Sequence, residues 1–435
     1  MNINLKLFLL LFVCIQQNIA QNPLNPFLPL MKNEYHLDSE TMKKAIEEHT
    51  PIWLPGEEKP VLFISRTNFE EGLAKKYPEI KSYRSKSYPI IYMDYFENEF
   101  TFFKLDEHGA THIICKDKTD NRYTIIRPGD HENIHPKDIK FDCGTTEHHE
   151  AKVQLTGIKR EKEAETIQLK TYRIAIALTG EFSRTIGVRK DLILSGLNNH
   201  LTRINAVYHR ENSIEFRLVE KNDTILFLDG QTDPYTNGNA SALMTANPAV
   251  LNDYIGIANY DIGHVFGTNT GGVAQLSSVC TANKGAGSSS TFGVYSGINF
   301  YFIACHEIGH QFSAEHTFNL CDNTNETASS AFEPGSGSTL MSYAGASQCG
   351  TNYVQDMMDP YFHANSLRQI KSYSRQSTGS FCGTSSLIQN KTPDVTIVSP
   401  SNLTIPIQTP FELEGKVQMT GKVNWLIPGS RWILE

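Results

Sequence analysis

Between Asn299 and Phe312 the chain reads as a strongly apolar helix that carries His306, Glu307 and His310, with His316 six residues beyond. Polar groups in so apolar a setting need a reason. His306 and His310 are four residues apart, so on a helix they share one face, with imidazoles close enough to bind one metal ion. Glu307 sits beside the first histidine, where it can reach a metal-bound water and take its proton. Zinc suits the set: neutral imidazoles, a borderline-soft ion, and a fourth position open to water. Bringing in His316 as third ligand requires the chain to leave the helix and turn back. Burying three histidines and a glutamate without a metal would be costly.

The rest of the chain must enclose that helix. Its 435 residues suggest two to three domains at about 150 residues each. The 40% hydrophobic and 20% charged composition is that of a globular protein. A net charge of −8 argues against binding nucleic acid. The charge is unevenly spread: 48 of the 150 residues from 21 to 170 are charged, against 37 of the 265 that follow. Two units of different kind are expected, with a boundary near Lys159-Arg160-Glu161-Lys162-Glu163.

The first 20 residues have the layout of a secretory signal: Lys6, an apolar run from Leu7 to Ile15, then polar residues, with Ala20 as the last residue before cleavage. No other stretch approaches about 18 apolar residues, so no membrane span is expected in the mature protein, which should be extracellular. Seven of the eight cysteines follow the signal, and in an exported chain they can form disulfides, with at least one left unpaired.

Residues 21–165 read as a charged α+β segment, with a helix over Ser39–His49, strands over Pro60–Ser65 and Tyr88–Tyr95, and a hairpin over Thr111–Ile126 broken at Lys116–Asn121. From residue 166 to 390 strands and helices interleave, which predicts a mixed sheet with helices against it. Tyr172–Leu178 alternates like a half-buried strand, and Ile214–Leu218 is a second. Ile193, Leu197, Leu201, Ile204 and Tyr208 mark a helix. Thr224–Leu228 suggests another strand. Asn247 and Pro248 read as the start of a helix to Ile257. Asp261–Phe266 and Gly272–Val279 read as strands, and Tyr361–Tyr373 as a last helix. Residues 391–435 resemble the first strands of a β-sandwich, but such a sandwich needs about 100 residues, so this segment is incomplete or an appendage.

The pattern His306-Glu307-x-x-His310-x-x-Ser313-x-x-His316, with Met341 in Ser338-Thr-Leu-Met-Ser-Tyr343 downstream, resembles the metzincin clan of zinc peptidases. One residue departs: the clan has glycine where this chain has Ser313, at a turn that favours a left-handed backbone. Stretches from Thr171 to Cys382, including Tyr172–Glu181, Ala258–Phe266 and Glu333–Gly345, resemble the reprolysin-like metallopeptidases, particularly secreted bacterial members. Gly72–Tyr83 resembles part of their prodomains.

The resemblance implies a zincin-like α/β fold: a mixed twisted sheet with helices and the zinc in a central cleft. It implies a secreted endopeptidase made as a zymogen, acting on protein or peptide substrates through zinc-activated water, with its own prodomain as inhibitor. His306, His310 and His316 would hold Zn2+, Glu307 would be the general base, and Met341 would form an apolar floor. Tyr343 is either an extra ligand or oxyanion partner, as in some metzincin families, or a packed core residue. Gly272–Val279 is either an edge strand that pairs with extended substrate or an ordinary internal strand. His264 reads as structural and Cys305 as a buried free thiol. Cys280 with Cys382 resembles a family bridge, and Cys321 and Cys349 flank the Met341 turn. Cys143 is either a latency thiolate on the zinc or the disulfide partner of Cys115. The alternative function is a secreted adhesion or binding protein with an inactive metallopeptidase module.

Overall fold

The computed structural model describes residues 39–54, 57–86, 90–106, 109–115, 123–126, 166–292, 295–321, 325–391, 394–397, 411–413, 415–418 and 432–434. The signal segment, the charged run at 159–163 and Cys143 lie outside these residues. The chain divides into two compact units, residues 1–67 with 77–130, and residues 68–76 with 131–435.

The first unit has a helix α1 (Ser39–Glu47) and six strands: β1 (Phe63–Arg66), β2 (Lys81–Ser85), β3 (Ile91–Phe96), β4 (Glu99–Asp106), β5 (Gly109–Cys115) and β6 (Tyr123–Ile126). They pair antiparallel in chain order. Alternation puts one side of the sheet into a core: Ile91 and Met93 of β3, with Phe100 and Phe102 of β4, pack with Met42, Leu54 and Phe63. The expected hairpin over Thr111–Ile126 is β5–β6.

The second unit begins with the short helix α2 (Glu71–Lys76) and continues with β7 (Thr166–Leu178), α3 (Gly180–Ile186), α4 (Lys190–Asn212), β8 (Ile214–Leu218), α5 (Ala240–Tyr254), β9 (Ile262–Thr268), β10 (Gly272–Ala274), β11 (Gly287–Thr291), α6 (Tyr301–Gln311), β12 (Phe318–Asn319), β13 (Glu333–Pro334), α7 (Ala364–Gln376) and β14 (Thr384–Lys391). The sheet runs β10-β11-β9-β7-β14, and β8 pairs with β7. It is mixed: β8, β7, β9 and β11 are mutually parallel where they pair, while β10 and β14 run antiparallel to their neighbours.

Strand β7 is the spine. The half-buried expectation for Tyr172–Leu178 is corrected, because both faces are covered and every residue from Ile174 to Leu178 is fully buried. Ala175 and Ala177 face a cluster with Leu243, Leu251 and Val265. Tyr172, on the other face, meets the rings of Phe216 and Phe312. Helix α4 carries the expected stripe, with Ile193, Leu197, Leu201, Ile204 and Tyr208 all buried.

Two further expectations fail for local reasons. Thr224–Leu228 is not a strand: Asn222–Ile225 is a 3-10 turn, and Asn222 bonds both Ile176 N and Ile176 O through its side chain. Helix α5 starts eight residues before Pro248, capped by Asn239, whose side chain accepts from Ala242 N. Asn247 caps nothing. Its Nδ2 donates to Gly285 O at 2.7 Å and its Oδ1 accepts from Tyr235 at 2.7 Å, so the asparagine serves a buried tertiary contact.

Beyond the sheet, β15 (Asp394–Ile397) pairs with β17 (Gly415–Gln418) and β16 (Phe411–Leu413) with β18 (Trp432–Leu434), so pairing continues past Lys416, where the sequence alternation fades. Among the described residues no helix is long and apolar enough to cross a membrane.

Candidate active site

Helix α6 is buried along its whole length, which its apolar sequence requires. The backing comes from α4, where Tyr208 donates to Cys305 O at 2.8 Å. Gly309 matters for packing: a methyl group there would lie 2.6 Å from Met341 Sδ, so the bare backbone lets the methionine pass beneath the helix.

The helix ends one residue after His310. Ser313 takes φ 74°, the left-handed conformation expected from its place in the pattern. Ser313 N donates to His310 O at 2.8 Å and Ala314 N to Gly309 O at 2.9 Å, the paired bonds of a Schellman stop. Serine therefore makes the turn with its hydrogen bonds intact. Ser313→Gly is expected to stabilise the protein by roughly 1 kcal/mol, read as a raised Tm, without loss of activity.

The turn brings His316 back to His306 and His310. Their Nε2 atoms lie 3.1 Å (His306–His310), 3.1 Å (His310–His316) and 3.3 Å (His306–His316) apart. Each Nδ1 faces a backbone carbonyl: Leu340 O at 2.6 Å for His306, Ala314 O at 2.7 Å for His310 and Asn325 O at 2.8 Å for His316. A carbonyl only accepts, so each Nδ1 carries the proton. Burial, and then the neighbouring His316, hold His306 and His310 well below the ordinary imidazole pKa, so both rings are neutral. Three Nε2 atoms thus converge on one point, two of them on neutral rings. Tetrahedral zinc with bonds of about 2.0–2.1 Å would need nitrogens about 3.3 Å apart, which this set meets closely. The carbonyl partners are the outer support that fixes tautomer and ring orientation in metal-binding histidines.

Glu307, on the same helix, lies against β10. A methyl group on Gly272 would overlap the glutamate side chain, reaching 2.6 Å from its Cδ. Strand β10 is the terminal strand of its sheet and only three residues long, which corrects the longer Gly272–Val279 expectation. The chain after it is held to the helix end, with Ser277 N donating to His310 O at 3.0 Å.

Below the histidines runs the Met341 turn, with Ser342 N donating to Thr339 O. Met341 is fully buried, and its carbonyl accepts from Thr317 N, next to His316. Tyr343 stacks between Phe318, 4.1 Å from its ring, and His316, at 4.9 Å. One organising residue was not recognisable beforehand as such. Glu333 is buried and its carboxylate accepts from Ser338 N, Thr339 N and Thr339 Oγ1 at 2.9, 3.0 and 2.6 Å, and from Thr317 Oγ1. It ties the turn to Thr317, the residue after His316. Its only sequence signal was its place in the Glu333–Gly345 stretch.

Two disulfides are present among the described residues. Cys280–Cys382 joins the segment after β10 to the chain after α7, and Cys321–Cys349 closes a loop around the Met341 turn. Cys305 is a free, buried thiol, its pKa pushed up by burial. His264 is structural: its Nδ1 donates to Gln311 Oε1 at 2.9 Å, which leaves Nε2 to accept from Ser289 Oγ at 2.8 Å. Burial lowers its pKa to about 4. The unfolded chain therefore takes up the proton first as pH falls, and stability is expected to drop by roughly 3 kcal/mol from this residue between pH 7 and 4. Chemical denaturation across that range, compared with His264→Gln, checks it.

Residues 168–373 match the model of metallo-peptidase family M12B, reprolysin-like. This is a reprolysin-like metallopeptidase domain. Its boundaries enclose β10, α6, the histidine set and the Met341 turn. The structure of metalloproteinase-II from Bacteroides fragilis is similar at 10% identity and a TM-score of 0.44, covering 77% of this chain and 96% of that one. No curated protein matches the chain.

Proposed function

We propose that the reprolysin-like domain is a zinc-dependent endopeptidase, exported and made as a proenzyme, with His306, His310 and His316 as the metal ligands and Glu307 as general base. The observation that carries this is the convergence of three Nε2 atoms 3.1–3.3 Å apart while every Nδ1 is committed to a carbonyl. Without a cation the neutral His306 and His310 set lone pair against lone pair in a buried site. A bound zinc supplies Lewis acidity, making water acidic near neutral pH and polarising a carbonyl.

The chain's own residues do the rest. Glu307, anchored on a rigid buried helix, takes the proton of the attacking water and passes it to the leaving amine. Strand β10, at the end of its sheet, offers its backbone to an extended peptide and holds the scissile bond beside Glu307. Tyr343 supports His316 through ring contact. Two disulfides suit an oxidising, extracellular setting. Ser313, which together with the incomplete C-terminal sandwich motivates the reading as an inactive binding module, makes its turn with its hydrogen bonds intact, which speaks against that reading.

Cleavage of a casein-like substrate that stops on chelation and returns with added zinc is the expected result. Cleavage indifferent to chelator would contradict the proposal.

A further inference from the structure

Residues 68–76 precede the metallopeptidase domain by about 90 positions yet belong to the same compact unit as its sheet. They form a strap on β8. Leu218 N donates to Asn68 O at 2.7 Å and Glu70 N to Leu218 O at 2.9 Å, so the strap adds a short parallel pairing to the side of β8 away from β7. Asn68 is 1% exposed and completes a buried polar network: its Nδ2 donates to Asn198 Oδ1 at 2.9 Å and Thr202 Oγ1 at 2.7 Å, and its Oδ1 accepts from Asn205 Nδ2 at 3.0 Å. Asn205 in turn bonds both backbone groups of Phe216. Phe69 and Leu73 are buried, and Lys76 pairs with the buried carboxylate of Asp223. Taking the strap away would strip partners from Asn198, Thr202, Asn205 and Leu218 and expose apolar surface.

We infer that Asn68–Lys76 is a retained part of the catalytic unit: after an activating cut ahead of residue 166, the strap stays seated on β8 and the mature enzyme is two non-covalently associated chains. The occupant of this surface is the chain's own N-terminal segment. The inference rests on the proenzyme reading for its biological setting, but its binding surface does not. Both disulfides among the described residues lie within the C-terminal chain, so neither would tether the strap.

The test uses the full chain carrying Glu307→Gln, to prevent self-digestion, with a site-specific protease sequence inserted after Glu150. After the cut, gel filtration at micromolar concentration is expected to give one peak containing both fragments, which part on a non-reducing denaturing gel. Asn68→Ala is expected to raise the concentration at which they dissociate on the order of tenfold, since it removes three buried hydrogen bonds. Lys76→Glu, a change at an exposed side chain that spares folding, is expected to do so by a similar factor by setting a negative charge against Asp223. Wild-type fragments that elute apart, or two variants that hold together as well as wild type, would overturn the inference. Turnover enters neither readout, so failure here leaves the peptidase proposal standing, and failure of the peptidase assay leaves the strap standing.

Discussion

Glu307→Gln is expected to lower kcat/KM on a protein substrate by about 10²–10⁴-fold, the usual contribution of a positioned acid–base group. The amide keeps the shape and cannot accept a proton from water. The three bonds between the histidine Nδ1 atoms and their carbonyl partners are made without the glutamate side chain, so metal content should stay at the wild-type level. Parallel measurement of turnover and bound zinc separates this from general disruption. A variant that retains full turnover would remove Glu307 from the chemistry. One that loses zinc together with activity would make it a structural support.

Gly272→Ala should have an effect on the order of 10²-fold on kcat, although it changes a residue that carries no chemistry. Its added methyl would overlap Glu307 at Cγ as well as at the carboxylate. Displacing the end of a flexible chain is cheap, but moving Cγ forces the side chain into another rotamer, which carries the carboxylate away from the histidines. The expected pattern is a fall in kcat with zinc retained and folding intact by circular dichroism. Unchanged kcat would mean that the glutamate acts from more than one position.

The histidine set was legible because its geometry is local. Four-residue spacing on a helix places His306 and His310 together, and one turn brings in His316. The stripe on α4 was legible for the same reason. What the sequence concealed depends on tertiary partners. Strand β11 is Gly-Ser-Ser-Ser-Thr, without an apolar residue, yet Gly287–Ser290 are buried between β9 and β10. Two of its buried serines find partners: Ser288 Oγ donates to Ala240 O and Ser289 Oγ to His264. Strand preference of this kind belongs to the environment and not to the residues. Asn247 misled because an asparagine before proline reads as a cap, whereas its amide serves Gly285 and Tyr235. Gly272 gave no sign that it lies against Glu307, since 35 residues separate them and only the fold closes the distance. The Asn68 strap sits in a charge-rich stretch, and nothing local in it marks contacts to residues 130 positions away.

We propose that a zinc ion is what brings the three buried imidazoles together. Metal analysis of the purified protein tests it most directly. The account predicts one zinc per chain, lost in His310→Ala and accompanied by a lower Tm, as linkage requires when a metal binds only the folded state. A wild-type protein that holds no zinc at saturating supply, with the same Tm in metal and in chelator, would contradict it.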